Sequence, residues 1–262
     1  MKFGIVVAKD SKKAEELAAK VKDYIAVKGQ RVEKEPSKAD FVITLGGDGT
    51  LIHAACEYAD SKAKFVGVNV GTLGFLTAVE GGGWQGAVDK LVKGDFVISE
   101  RMTLEVSLEK SENIYRAVNE IVVKGMYRVV NLELYVNGQK FLTCTGDGVI
   151  VATQTGSTAY SLSAGGPIVD PELDCLVITP VNTHGLQIPS VVLSPDDQIE
   201  IKLVAGKDVS LIIDGQDHTK VTEGQRVRVK RGKYRVKFGY FDKRHFLKAL
   251  NAKFGLSGRL GE

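Results

Sequence analysis

Phe41-Val42-Ile43-Thr44-Leu45-Gly46-Gly47-Asp48-Gly49-Thr50-Leu51-Ile52-His53 reads as a buried strand that stops, a glycine turn, and a helix that starts. Glycines at 46, 47 and 49 leave the backbone free to take positive φ and let a ligand approach with no Cβ in the way. The N–H groups of the new helix face the same point, so the turn suits phosphate. Asp48 is the anomaly. A carboxylate among donors that attract anions is either a helix N-cap or a residue kept for chemistry or for metal.

Upstream, residues 3–8 form a continuous apolar run, the pattern of a strand buried on both faces. Asp10 and Ser11 offer N-caps for a helix with Leu17, Val21, Tyr24 and Ile25 on one face, which Gly29 ends. Residues 31–35 form a short strand broken by Pro36. Downstream come a strand at 65–69 and a short helix at 84–92. Strands alternating with helices predict parallel βαβ units in an open sheet, with ligands beyond the carboxyl ends of the strands. The glycine turn lies at such an end, as does Asn69-Val70-Gly71-Thr72-Leu73-Gly74-Phe75-Leu76.

From about residue 96 the pattern changes to short alternating strands. Asn137-Gly138, between apolar runs at 132–136 and 140–143, is the strongest hairpin signal in the chain. Further strands are expected at 176–179, 199–204, 209–214, 226–230 and 234–238, which makes this part antiparallel β. Small residues from Gly156 to Pro167 interrupt it. A last amphipathic helix, 241–254, carries Phe246, Leu247 and Leu250. The predicted organisation is an α/β domain over 1–95, a β-rich domain over 96–240, and a segment 241–262 that packs back on the first.

Thirty-five basic against 32 acidic residues leave a formal charge of +3, too even a mixture to suggest nucleic acid. No apolar run is long enough for a membrane span, and the first residues have no signal-peptide layout, so a cytoplasmic protein without a membrane partner is expected. Cys56, Cys144 and Cys175 lack C-x-x-C spacing and read as small buried hydrophobes rather than a disulfide framework or a zinc site.

Neither common nucleotide fingerprint is intact, since there is no G-x-x-x-x-G-K-[ST] loop and Gly46-Gly47-Asp48-Gly49-Thr50 is too short and acidic for G-x-G-x-x-G. Polar clusters instead punctuate the β-rich part. Asn119-Glu120 sits inside a strand-like run, and Thr145-Gly146-Asp147-Gly148 and Asp214-Gly215-Gln216-Asp217 each read alone as turns with an Asx bond.

Together, Gly46-Gly47-Asp48-Gly49-Thr50, Asn119-Glu120, Gly156-Ser157-Thr158-Ala159-Tyr160 with Ser163-Ala164-Gly165-Gly166-Pro167, and Asp214-Gly215-Gln216 resemble the motifs of the NAD kinases, in the same order. The glycine turn alone is shared with diacylglycerol and sphingosine kinases and, more loosely, phosphofructokinases. The Asn-Glu pair and the Gly-Ser-Thr-Ala-Tyr run single out NAD kinases. The resemblance implies an N-terminal Rossmann-like open α/β domain and a C-terminal, mainly antiparallel β-sandwich domain.

It also implies phosphoryl transfer to the 2′-hydroxyl of the adenosine ribose of NAD, giving NADP. The donor would be ATP, with polyphosphate or other nucleoside triphosphates as further candidates, and Mg2+ or another divalent cation is implied. Asp48 would be the general base. Gly46, Gly47, Gly49 and Thr50 would face the donor phosphates, with His53 as a nearby cation unless it is an ordinary helix-face histidine. Asn119 and Glu120 would read adenine and ribose. Asp147 would lie near the nicotinamide end, although Thr145 stands where the family often has arginine. Thr158, Ala159, Tyr160 and Ser163 would line the pocket, Gln216 would close it, and Asn182 is a further candidate. The family is commonly a homodimer or homotetramer.

Overall fold

The structure, a computed structural model, describes residues 1–71, 74–185 and 188–255, together with the backbone but not the side chain of Asp217. Thr72 and Leu73, inside the run singled out after the fourth strand, lie outside the described residues. The chain divides into two compact units, Met1–Glu100 with Val236–Glu262, and Arg101–Arg235.

The first unit contains β1 (Lys2–Val7), α1 (Lys12–Val27), β2 (Arg31–Val32), β3 (Phe41–Gly46), α2 (Asp48–Glu57), β4 (Lys64–Asn69), β5 (Val79–Glu80) and α3 (Trp84–Lys93). Its strands run parallel in the order β2-β1-β3-β4, with β5 also beside β4. Ser11 caps α1, its Oγ accepting the Ala14 N–H at 3.3 Å. The buried stripe of α1 is Ala14, Ala18, Val21 and Ile25, which packs with Val88 and Leu91 of α3 against Phe3, Ile43, Leu45, Val66 and Val68. Leu17 and Tyr24 lie at the edge of that stripe, where the Tyr24 hydroxyl donates to Asp89 and its ring meets Trp84 edge-on.

The second unit is built from β6 (Val97–Leu108), β7 (Ile114–Ala117), β8 (Glu120–Gly125), β9 (Val130–Val136), β10 (Gln139–Gly146), β11 (Gly148–Thr153), α4 (Tyr160–Ser163), β12 (Leu176–Val181), β13 (Val191–Leu193), β14 (Ile199–Ala205), β15 (Val209–Ile213), β16 (Gln216–Val221) and β17 (Arg226–Tyr240). The first strand and the last also contribute residues to the first unit. One sheet has the order β13-β12-β11-β8-β15-β16, all antiparallel. The other carries β10, β9, β14 and β17 in sequence, and its inner face meets that of the first sheet in one core holding Met102, Leu104, Leu132, Val149, Val151, Ile178, Ile201 and Leu211. The strand pattern predicts antiparallel β, and the resemblance implies the sandwich that these two sheets form.

β11 is buried along its whole length because both faces are covered. Val149 and Val151 face the sandwich core, while Ile150 and Ala152 pack beneath Tyr160 and Ala164 of the segment that interrupts the strands. The β9–β10 hairpin turns on Asn137 and Gly138, with φ of 51° and 80° and Val136 opposite Gln139, the geometry of a type I′ turn.

Three readings change. Residues 226–230 and 234–238, expected as two strands, are one strand, β17. Gly232 in its middle is a close-approach residue rather than a break, since a Cβ there would overlap the Thr103 hydroxyl. The last helix, α5 (His245–Phe254), begins later than predicted and buries Ala249 and Leu250, whereas Leu247 is exposed. Cys144 and Cys175 are buried but Cys56 is only half-buried. Burial pushes the Cys144 thiol up to about 11, so it stays a protonated, inert packing group. No helix among the described residues is long and apolar enough to cross a membrane.

Candidate functional site

In the first unit, β3 delivers the glycine turn at its carboxyl end and α2 begins there. Gly47, not Asp48, is the N-cap, with extended φ and ψ of −94° and −172°. Gly46 and Gly49 likewise stay out of the left-handed region, so conformational freedom is not why the turn is glycine. Space is the reason. A Cβ at Gly46 would meet Thr50 Cβ at 2.8 Å and Ala8 Cβ at 2.9 Å, which presses the strand end onto the first helical turn. Among the described residues, nothing lies within 4 Å of where a Cβ at Gly47 or Gly49 would sit, leaving bare backbone and helix-start N–H groups open to a ligand.

Asp48 is the first residue of α2, and its side chain does not cap its own helix. It reaches 27 to 29 residues along the chain, where Oδ2 accepts the Phe75 N–H at 2.6 Å and Oδ1 accepts those of Leu76 and Thr77 at 3.1 and 3.0 Å. The carboxylate is thereby fixed in orientation by charge-assisted bonds to backbone. His53 is exposed, its Nε2 3.7 Å from Glu57 Oε2 one turn further along α2.

Beside the turn, Val70 N–H donates to Gly46 O at 3.3 Å, and Asn69 Oδ1 accepts the Gly71 N–H at 2.8 Å. A crevice of about 420 Å3 opens there between Asn69–Gly71, Lys13 and Lys20 of α1, and Glu80–Gly82.

In the second unit, motifs far apart in the chain converge on Asn119-Glu120. Asp214 and Gly215, with φ of 46° and 77°, make the two-residue turn between β15 and β16. Asp214 does not spend its carboxylate on that turn. Its oxygens accept the N–H groups of Val118 and Asn119, both at 2.8 Å, and of Glu120 at 3.1 Å. From the other side, Thr153 donates its N–H to Asn119 O at 2.8 Å and its hydroxyl to Val118 O at 2.6 Å, while Thr153 Oγ1 accepts the Thr155 and Gly156 N–H groups. Gly156 lies directly on Asn119, whose backbone C and Cα would stand 2.5 and 2.9 Å from a Cβ at 156.

The base of that loop is tied down by Asp174, which accepts from Gln154 Nε2 at 2.9 Å and from Arg235 Nη1 and Nη2 at 2.5 and 3.1 Å. The Arg235 guanidinium holds the Asp174 carboxyl below its usual range.

The anchored pair carries unused capacity. Asn119 Oδ1 and Glu120 Oε2 are buried and have no hydrogen-bond partner among the described residues, an expensive arrangement unless a ligand supplies donors. Burial, with Asp214 adding a smaller like-charge effect, pushes the Glu120 carboxyl from 4.5 up to about 8. Burial likewise raises Asp214 to about 6 against the opposing pull of its three amides. Near neutrality Glu120 is therefore mostly a carboxylic acid, with one O–H donor as well as acceptors.

That shift sets the sign of a stability prediction. Glu120 binds its proton more tightly folded than unfolded, so its contribution is complete below about 4.5 and is lost as pH rises through about 8. Without ligand, the melting temperature is expected to fall across that window. Glu120→Gln, which cannot ionise, should flatten the slope and melt about 5 °C higher than wild type at alkaline pH. Differential scanning calorimetry at several pH values checks this, and equal slopes for the two proteins would refute it.

Asp147 and Asn182 meet although 35 residues apart, Asn182 Nδ2 donating to Asp147 Oδ2 at 2.8 Å, with Asn182 at φ 47°. A cavity of about 350 Å3 lies beside Asn182, lined also by Ala164, Gly165 and Ile188. Thr145 does not project as an arginine would, since its hydroxyl is bound to Asn131 Oδ1 at 2.5 Å. The His184 N–H donates to the Thr145 carbonyl at 2.8 Å, tying its own loop down. Thr158 is half-buried, its hydroxyl donating to Thr155 O at 3.4 Å; Ala159 is half-buried; and Tyr160 carries Lys124 Nζ 5.8 Å over its ring. Ser163 and Gln216 are exposed.

Sequence reading missed Asp214 as the anchor of Asn119-Glu120, missed Thr153, and missed the 74–77 segment as the partner of Asp48. The Asp-Gly turn was visible at 214–215, but a turn signal does not show where the carboxylate points. Among the described residues, no three His, Cys, Asp or Glu side chains converge to hold a metal.

Comparison with known proteins agrees with these clusters. A family model described as the ATP-NAD kinase N-terminal domain matches residues 3–96, and one described as the ATP-NAD kinase C-terminal domain matches 118–240. The chain is 42% identical over 224 residues to an NAD kinase of Geotalea daltonii, covering 83% of this chain and 79% of that protein. It is 34% identical over 260 residues to an NAD kinase of Fusobacterium nucleatum, covering 97% of each. A crystal structure of yeast NADH kinase complexed with NADH shares the fold, with a TM-score of 0.88 at 22% identity over 100% of this chain and 90% of that one. An Archaeoglobus fulgidus NAD kinase in complex with ATP has a TM-score of 0.81 at 24% identity over 96% and 98%. The acidic glycine turn at Asp48 and the anchored Asn119-Glu120 pair thus stand in a chain that belongs to the NAD kinase family.

Proposed function

We propose that this protein transfers a phosphoryl group to the 2′-hydroxyl of the adenosine ribose of NAD, giving NADP, with ATP as donor and inorganic polyphosphate or other nucleoside triphosphates as further donors to be tested. The observation that supports it most is the Asp48 carboxylate, held rigidly at the start of a helix whose turn is bare backbone. In the proposed step the ribose oxygen bonds to the γ-phosphorus, the bond to the departing ADP breaks, and the hydroxyl proton passes to Asp48. The Gly46–Gly49 backbone and Thr50 receive the donor phosphates, with His53, when protonated, adding positive charge nearby. A divalent cation, most simply Mg2+, would neutralise developing phosphate charge.

Asn119 and Glu120 are assigned to adenine and ribose, because their orphaned oxygens, and the proton that Glu120 keeps, match a partner rich in hydroxyl and amine groups. Tyr160 supplies a flat ring with Thr158, Ala159 and Ser163 around it, Gln216 lies at the rim, and the bonded pair Asp147–Asn182 is assigned to the nicotinamide end. A cytoplasmic homodimer or homotetramer belongs to the same proposal and is tested by light scattering and fractionation.

The test is direct. Purified protein with NAD, ATP and magnesium is expected to produce NADP, separated by chromatography, and to produce none when any of the three is omitted. Absence of NADP with every donor, polyphosphate included, would overturn the proposal.

A further inference from the structure

Asp48 has a partner segment that the glycine-turn chemistry does not by itself require. A carboxylate offers about four lone-pair directions, and the N–H groups of Phe75, Leu76 and Thr77 occupy three of them, two on Oδ1 and one on Oδ2. Among the described residues, one direction on Oδ2 is left for a substrate proton. Gly74 packs flat against the same group: a Cβ there would overlap the carboxylate carbon and both oxygens. No other residue at 74 leaves Asp48 where it stands.

The segment is itself braced, since the Phe75 ring lies under Lys253 Nζ at 4.5 Å and 6.0 Å from the ring of Phe254 in α5. Behind it, Thr77 is fully buried and packs its Cα 2.9 Å from where a Cβ at Gly67 would sit.

We propose that Gly74 is a positioning residue for Asp48, and that Gly74–Thr77, backed by α5 through Phe75, fixes the one carboxylate direction able to take the ribose proton. This rests on the assignment of Asp48 as base. Displacing a catalytic group by about 1 Å costs on the order of 100-fold in rate. A methyl at 74 forces a displacement of that size, because the obstacle is a carboxylate already bonded on three sides.

The experiment is a cycle of Gly74→Ala, Asp48→Asn and the double variant, reading kcat and KM for NAD at saturating ATP and magnesium. Gly74→Ala is expected to lower kcat by about 100-fold, with KM for NAD within about threefold of wild type. In the Asp48→Asn background the same change should cost less than about threefold, because a residue that acts through Asp48 has nothing left to position. A Gly74→Ala enzyme within about threefold of wild-type kcat, or losses that multiply in the double variant, would overturn the positioning role while leaving the base assignment standing. Asp48→Asn at near wild-type kcat would instead overturn the base assignment.

Phe254→Ala guards against a Gly74→Ala protein that does not fold, since it removes only the brace behind Phe75. It should lower kcat about fivefold at unchanged KM, and an unchanged kcat there counts against the proposal.

Discussion

Asp48→Asn is expected to lower turnover by at least about 100-fold at saturating NAD, ATP and magnesium, the usual size of a general-base contribution. The amide keeps the shape of the carboxylate but cannot accept the ribose proton. The structure adds a second, smaller effect. Oδ1 of the new asparagine can still serve Leu76 and Thr77, but the Phe75 N–H, 2.6 Å from Oδ2 in the wild type, would face an NH2 group. A donor set against a donor at a half-buried site costs about 1–3 kcal/mol. A melting temperature lower by a few degrees should therefore accompany the kinetic loss. The two effects separate cleanly: calorimetry reports the lost bond, and kcat measured well below the transition reports the lost base. Turnover within about threefold of wild type, with melting lowered as described, would make Asp48 a loop anchor and remove it from the chemistry.

Gly156→Ala is expected to have the largest structural effect. The position has no space on the side of Asn119, whose carbonyl carbon would stand 2.5 Å from the new methyl. That obstacle cannot swing aside, because the N–H groups of Val118, Asn119 and Glu120 are pinned by Asp214 and the Val118 and Asn119 carbonyls by Thr153. Overpacking against fixed backbone costs about 3 kcal/mol, or about 10 °C in melting temperature for a chain of this size. Whatever relaxation occurs moves Asn119 and Glu120, so KM for NAD should rise at least about tenfold, by more than kcat falls. Wild-type melting and an unchanged KM would show that the packing of 156 on 119 is looser than the geometry implies.

The strand that ends in Gly46-Gly47-Asp48-Gly49, the alternation of strands and helices before residue 96, and the type I′ hairpin at Asn137-Gly138 are all written locally. Burial period, glycine and Asn-Gly chemistry act over a few residues, and those are the distances at which a sequence can be read directly. The motif residues were legible for the same reason, each cluster being a short run with its own turn or strand context. The break expected at Arg231-Gly232-Lys233 failed because its glycine answers to Thr103, far along the chain.

Which partners the motif carboxylates meet was settled at still longer range. Asp48 could have capped its own helix and Asp214 its own turn. Each instead bonds three successive N–H groups, 27 to 29 residues away in the first case and 94 to 96 in the second. Gly46 and Gly156 are required by what presses on them rather than by their own dihedral angles, and Glu120 keeps its proton because burial removes water from around it. The sequence thus determined which strands, turns and motifs exist, since these follow from local backbone preference and hydrophobic period. Only the tertiary structure decided which donors each carboxylate meets and how dry its surroundings are, because both depend on atoms brought together by folding from distant parts of the chain.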